Sequence, residues 1–261
     1  MTMKVLAVET ATSWQSVALL EDGHVLAEHE QDAAGSHAAL LLPAIDQLLS
    51  KTGLRLTDLD GLACSIGPGS FTGIRVGLST CLGLRAATDL PLALVPTLEA
   101  MAWSVKRDHR TLCPVLTSRK GEVYWALFRR AKNGLERVLA EHVGSPQALA
   151  RSLADDTLLF GDGWSAMETE IRAALPSSVR AIEGPPSAVK PSAVAVALMG
   201  IERLRRGERA PMQVVPLYVQ RAEAELKYEQ SGGVSPVARR QERVKRKVAE
   251  RLARGGRGGR R

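Results

Sequence analysis

Residues 5–8, Val-Leu-Ala-Val, form an unbroken apolar run, as a strand buried on both faces requires. After the polar stretch 9–15, residues 16–20 read as a second strand, and Asp22-Gly23 offers a tight hairpin into a third at 25–29. Beyond Gly35-Ser36, Leu41, Leu42, Ile45, Leu48 and Leu49 recur at helix spacing, with Gly53 placed as a C-cap. Pro43 either starts that helix or kinks it. Residues 59–66 predict another strand, broken at Gly67-Pro68-Gly69; residues 72–85 predict a helix, residues 92–95 a strand, and a further helix starts at Thr97.

The second half repeats this order. Residues 112–116 are apolar, 118–121 turn, 122–128 are rich in strand formers, and Asn133-Gly134 turns again into 135–143. Gly23 and Gly134 each close the second strand of a three-strand meander that a helix follows, which points to an internal duplication with almost no shared residues. The expectation is two related α/β domains, residues 1–105 and 106–228, with a cleft between them. A basic, low-complexity segment, residues 229–261, ends in Arg-Gly-Gly repeats and is expected to be a disordered tail. Val244, Val248 and Leu252 fall every four residues there, the spacing of one short helix formed on a partner.

Charge sharpens that division. The 261 residues carry a formal net charge of +7, yet residues 229–261 hold 11 Lys and Arg against 3 Asp and Glu. The first 228 residues therefore carry 24 basic and 25 acidic groups, so the basicity belongs to the tail. Arg239, Arg240, Arg243, Lys245, Arg246 and Lys247 are its densest cluster and its candidate RNA contacts. No apolar stretch nears the ~20 residues that span a bilayer. The N-terminus lacks the pattern of a secretory signal, so a cytoplasmic protein without membrane contact is expected. Cys64, Cys81 and Cys113 are widely spaced among apolar neighbours and read as reduced core residues; the five histidines form no zinc pattern.

The run from Gly67 to Gly77 carries most of the functional signal. Two readings stand side by side. Gly67, Gly69 and Ser70 at a strand-to-helix turn could bring free amides to an anion, or they could form a tight turn whose helix uses Gly73 and Gly77 for close packing. The run lacks the Gly-Lys-Ser/Thr of a Walker A loop and the Gly-x-Ser-x-Gly of a nucleophile elbow. Glu9, Thr10 and Thr12 sit at the first strand-to-strand turn, where actin-like and sugar-kinase-like ATPases hold phosphate. A working site of that kind wants carboxylates at both strand ends to hold magnesium, and the duplicated position here is Thr117. Together the six residues read as a nucleotide-site remnant kept for binding and not for phosphoryl transfer.

Residues 8–12 (Val-Glu-Thr-Ala-Thr), 16–19, His37 with Leu41-Leu42-Pro43, the Gly67 to Gly77 run, 121–126 (Gly-Glu-Val-Tyr-Trp-Ala), and Pro216-Leu217-Tyr218 with Arg221 resemble the TsaB family, formerly YeaZ. The resemblance runs in order over about residues 3–228. It departs from the family pattern at Glu9, where aspartate is usual, and at Thr117 and Gln220. It implies an actin-like ATPase fold (ASKHA, ribonuclease H-like) without a functional catalytic cleft. It also implies a cytoplasmic accessory subunit that pairs with the transferase TsaD, is joined by the ATPase TsaE, and forms a homodimer when alone. The complex would convert the tRNA adenosine beside the anticodon to threonylcarbamoyladenosine. ATP and metal would be used by the partners, with no cofactor bound by this chain alone. The resemblance favours a partner face made of His37, Leu41, Leu42, Ile45 and Leu49 on the first helix, and of Phe71, Gly73, Arg75 and Gly77 on the next. Competing readings are a glycoprotease-like peptidase, a small-molecule kinase of the same fold, and an RNA-binding module built on the tail. No nucleophile with its base and no metal set is visible for the first.

Overall fold

A computed structural model describes residues 2–105, 110–119, 121–132 and 134–219. Asn133, Gln220, Arg221 and the basic segment 229–261, each of which entered the sequence reading, lie outside the described residues.

The three opening apolar runs form an antiparallel meander of β1 (Lys4–Glu9), β2 (Trp14–Glu21) and β3 (His24–Asp32). Asp22 and Gly23 turn its first hairpin at φ of 51° and 88°. There follow α1 (His37–Thr52), β4 (Gly61–Ser65), α2 (Phe71–Thr88), β5 (Leu92–Val95) and α3 (Thr97–Ser104). β4 pairs parallel to β1 and β5 parallel to β4, giving the order β3-β2-β1-β4-β5. α1 starts at His37 and runs on through Pro43, which sits on its exposed side, where the carbonyl left without an N–H partner can face water.

The chain then repeats the pattern with β6 (Thr111–Thr117), β7 (Val123–Ala131), β8 (Gly134–Gly144), α4 (Pro146–Arg151), β9 (Thr157–Phe160), α5 (Asp162–Ala174), β10 (Ala181–Glu183) and α6 (Ala193–Arg205). The second sheet has the order β8-β7-β6-β9-β10, an antiparallel meander extended by two parallel strands like the first. The repeat read from the sequence is therefore a repeat of topology.

Both sheets are covered on both faces, and the last helix of each repeat is exchanged. Leu6, Val8, Leu62 and Cys64 pack against Leu41, Ile45 and Leu48 of α1 and against Leu78 and Cys81 of α2. The opposite face, Val5, Ala7, Ala63 and Ala93, packs against Val196, Ala197, Ile201 and Leu204 of α6. On the second sheet, Leu112, Phe128 and Phe160 meet Leu98 and Met101 of α3, while Cys113, Val115 and Leu159 meet Leu149 of α4 and Trp164 and Ile171 of α5. Thus α6, counted with residues 106–228 in the sequence reading, covers the first sheet, and α3, counted with residues 1–105, covers the second. Apolar periodicity shows that a helix has a core face but not which sheet receives it. All three cysteines are free and buried within these cores.

Polar contacts reinforce the exchange. Glu99 on α3 pairs with Arg203 on α6 at 3.0 Å and with Arg137 on β8 at 2.7 Å. Arg130 on β7 donates to the carbonyls of Ala102, Trp103 and Val105 at the C-terminus of α3, where helix carbonyls otherwise lack partners. Its guanidinium also lies 5.3 Å from the centre of the Trp103 ring. Arg130→Met keeps the apolar stem and leaves those carbonyls to water or unpaired. The variant should lose about 2–3 kcal/mol of stability, or roughly 4–10 °C in melting temperature for a fold of this size. A urea or thermal melt that matches the wild type would show that this helix end needs no side-chain cap.

Candidate functional site

The strand pairing brings the two informative segments of the sequence together. β1 ends at Glu9 beside Ser65 at the end of β4, and the turn after β1 docks on the first turns of α2. Ser70 N–H donates to the Ala11 carbonyl at 2.6 Å, and Thr10 Oγ1 donates to the Gly73 carbonyl at 2.9 Å. A Cβ on Gly69 would collide with the backbone of Ala11, one on Gly73 with the Thr10 carbonyl, and one on Gly77 with Thr10 Oγ1. The glycines are spaced by one helical turn because one face of α2 lies directly on backbone. Of the two readings of this run, close packing is the one the geometry supports.

The groups that might have held a phosphate are used within the turn. Ser70 Oγ caps α2 by accepting from Gly73 N–H at 3.2 Å, and the Gly67 carbonyl accepts from Thr97 N–H at 2.8 Å. Glu9 is 1% exposed, and its Oε1 accepts from Ala11 N–H at 2.6 Å. Among the described residues, Glu9 Oε2 and the neighbouring Ser65 Oγ have no hydrogen-bond partner of ordinary geometry. Burial pushes the Glu9 carboxyl up from 4.5 to about 7, against the opposing pull of Ala11, Ser65 and Thr10. In the second repeat, Thr117 N–H and Oγ1 donate to the two carboxylate oxygens of Asp162, at 3.0 and 2.7 Å. Asp162 was missed in the sequence, where the only signal was its position between Gly161 and Gly163 at a strand-to-helix turn. The six remnant residues do converge, but Glu9, Thr10, Gly67 and Gly69 form a turn packed on itself, and the open space lies beside it.

That space is a pocket of about 420 Å³ between the starts of α1 and α2, and Thr12, Ser13, His37, Ala38, Ser70 and Thr72 are among its lining residues. His37 is buried, and its Nε2 donates to the Thr12 carbonyl at 2.9 Å. Next along α2, Arg75 lies 3.7 Å above the Phe71 ring, Phe71 stacks on Tyr218 at 5.2 Å, and Arg75 Nε donates to Tyr218 Oη at 2.7 Å. Leu217 N–H, one residue earlier, donates to the Ile66 carbonyl at 2.8 Å, so residues 217–218 are bound to the start of the glycine run. The sequence named Phe71 and Arg75 but gave no sign that Tyr218 completes their cluster.

The partner face named from the sequence needs correction. Leu41 and Ile45 are 1% and 3% exposed in the core, and Gly73 and Gly77 are buried under the β1–β2 turn, so none of the four can meet another protein. His37 is likewise buried. Leu42, 54% exposed, and Arg75 stand outside, while Leu49 and Phe71 are half-buried. Positions 41, 44, 45 and 48 make one helical stripe, and residue 42 lies a quarter-turn off it.

Two repeats of a three-strand meander with two parallel strands, terminal helices packed between the sheets, and a strand-end acid at the first turn define a protein of the actin-like ATPase fold. The sequence profile described as "TsaD: tRNA N6-adenosine threonylcarbamoyltransferase" matches residues 27–228. The chain is 37% identical to the tRNA threonylcarbamoyladenosine biosynthesis protein TsaB of Escherichia coli over 173 residues, 63% of this chain and 73% of that one. It is 31% identical to the Haemophilus influenzae TsaB over 83% of this chain and 93% of that one. A solved structure of YeaZ from Pseudomonas aeruginosa superposes with a TM-score of 0.70 at 28% identity, covering 83% of this chain and 99% of that chain. The chain belongs to this family, as a TsaB (YeaZ) member.

The buried carboxyl makes stability depend on pH. Glu9 binds its proton more tightly folded than unfolded, so its own contribution to stability is greatest below pH 4.5, falls as pH rises through the interval to about 7, and is level above it. The penalty at pH 8 is roughly 3 kcal/mol. Glu9→Gln should therefore be more stable than the wild type at pH 8 and nearly equal to it at pH 4.5. Denaturation across that range reads the difference, and parallel curves for the two proteins would mean that Glu9 stays ionised when folded.

Proposed function

We propose that this chain is the non-catalytic subunit that supports TsaD in threonylcarbamoylation of the tRNA adenosine beside the anticodon. Family membership supports the pathway. The observation that supports a non-catalytic role is the closed strand-end site of the first repeat: Glu9 is buried under its own turn and cannot reach a substrate, as phosphoryl or acyl transfer would require. ATP and metal are then used by TsaD and by the ATPase TsaE, and the chain works in the cytoplasm. No helix among the described residues is long and apolar enough to cross a membrane, as that location requires.

The partner face is the outer side of α1 and the start of α2, where Leu42, Leu49, Phe71 and Arg75 are accessible. Apolar side chains beside an aromatic and arginine cluster have the composition of a binding hot spot. TsaD binds there, and in its absence a second copy of this chain takes the same face. The test is reconstitution of tRNA modification from purified TsaD, TsaE and this chain. Omitting the chain should abolish modification. Leu42→Glu should weaken TsaD binding by at least tenfold, about 1.4 kcal/mol, with the melting temperature unchanged. Full modification without the chain would overturn the reading, and Leu42→Glu binding as the wild type does would move the interface elsewhere.

Residues 229–261 lie beyond the family match and add non-specific contact to tRNA. Arginine pairs with phosphate, and each phosphate contact adds a log-log salt slope of about −0.7 to −0.9. Removing these residues should weaken tRNA binding by the complex and flatten its salt dependence. Equal affinity and slope would take the tail out of RNA binding.

A further inference from the structure

We infer that the guanidinium of Arg75 receives one carboxylate, an aspartate or glutamate side chain, from TsaD, and that Tyr218 holds it in place to do so. The inference rests on the partner reading above and names the chemistry of one contact within it.

An exposed arginine is ordinarily mobile and loses much rotamer freedom when a partner orders it. This chain has already ordered Arg75. Phe71, one helical turn earlier on α2, lies under the guanidinium at 3.7 Å, Phe71 stacks on Tyr218 at 5.2 Å, and Tyr218 Oη accepts from Arg75 Nε at 2.7 Å. The bond from Leu217 N–H to the Ile66 carbonyl fixes Tyr218 in turn. Arg75 and Tyr218 nevertheless stand exposed. The arrangement spends the N–H of Nε and leaves both Nη groups without an acceptor among the described residues.

Other arginines of this chain show what such a fork takes. Arg129, Arg172, Arg180 and Arg205 each pair with a carboxylate, and Arg85 and Arg130 send Nη groups to main-chain carbonyls. Among the described residues no acid of this chain reaches Arg75. A fastening role alone would be met by the Leu217 bond and the Phe71–Tyr218 stack, neither of which needs a charge.

A planar fork with both Nη groups open matches a carboxylate through two parallel N–H···O bonds. The surroundings favour a protein's carboxylate over the phosphates of RNA. An RNA backbone is held by several cations at once. Along α2 there is no lysine, and the other arginine, Arg85, lies about 15 Å farther down the helix and is engaged with the Pro211 carbonyl. The first 228 residues hold 24 basic and 25 acidic groups, so the body as a whole does not attract a polyanion. An arginine packed on aromatic rings is instead the composition of a protein-interface anchor.

The test measures TsaD binding to the full chain in the absence of tRNA. Arg75→Gln removes the fork and its charge and should weaken binding at least tenfold. Arg75→Glu has the size of the glutamine variant and adds a negative charge, so it should bind at least fivefold more weakly still. Both lose the Tyr218 bond alike, so the difference between them reads charge and not stability. Tyr218→Phe keeps the stack and removes the Nε acceptor. It should cost at least threefold in the wild type and nothing further in Arg75→Gln, because Tyr218 acts through Arg75. Equal binding by the Gln and Glu variants, or wild-type affinity in Arg75→Gln, overturns the inference, while a loss at Leu42→Glu in the same series keeps the partner reading. If the wild-type chain and TsaD do not associate at all, the partner reading falls and this inference with it. Weaker tRNA binding by the Arg75→Gln chain alone, with TsaD binding kept, would assign the fork to phosphate and overturn the carboxylate.

Discussion

The contact on which the rest of the first lobe depends is the docking of the β1–β2 turn on the glycine face of α2. Backbone reaches backbone there: Ser70 N–H meets the Ala11 carbonyl, and the Gly73 carbonyl meets Thr10 Oγ1. Any Cβ at Gly69, Gly73 or Gly77 would push helix and turn apart. This one approach fixes the depth of α2 on the sheet and buries Glu9. It also sets where the helix start lies relative to α1, and so forms the pocket between them. Close-packed interiors transmit such a displacement instead of absorbing it. The chain's own backbone fills the space beside the glycines that a phosphate would need.

A filled site leaves an acid with no counter-ion. Isolated charges are rarely buried ionised, and the usual outcome is a shifted pKa. Glu9 follows that rule, held near 7 by burial. The second repeat differs: Asp162 is only half-buried, and it accepts two hydrogen bonds from the exposed Thr117.

The element order as far as residue 143 was legible in the sequence, because strands buried on both faces read as unbroken apolar runs and because Gly23, Gly53 and Gly134 punctuate them, whereas the elements from α4 to α6 were not read one by one. The exchange of α3 and α6 was not legible. A helix such as residues 97–104 is apolar on nearly every side, and nothing local says which sheet it will meet. The glycine run was ambiguous for a similar reason: glycines that admit a phosphate and glycines that admit a carbonyl are the same residues, and the occupant lies 60 positions away in the chain. The partner face was over-read. Leu41, Leu42, Ile45 and Leu49 of α1 were taken as one surface, although the stripe 41, 44, 45 and 48 already excluded Leu42 from the core and committed Leu41 and Ile45 to it.

The exchange of terminal helices bears on what this family member can do with its fold. Opening and closing of two lobes around a nucleotide needs an interface that slides or hinges. Here α3 sends Leu98 and Met101 into the second core and Ala100 into the first, and Glu99 holds α6 and β8 at once. Separating the sheets would expose two apolar helices and break that bracket, at a cost of many times RT. Residues 217–218 add a further fastening by tying back to Ile66 and Arg75. A body built this way presents a surface of fixed shape, in which the outer side of α1, the start of α2 and the Tyr218 cluster stay in register. Fixed register suits recognition, since preorganised groups lose little entropy when a partner arrives. The packing and the buried strand-end acid are two separate observations that fit the binding-subunit role proposed above.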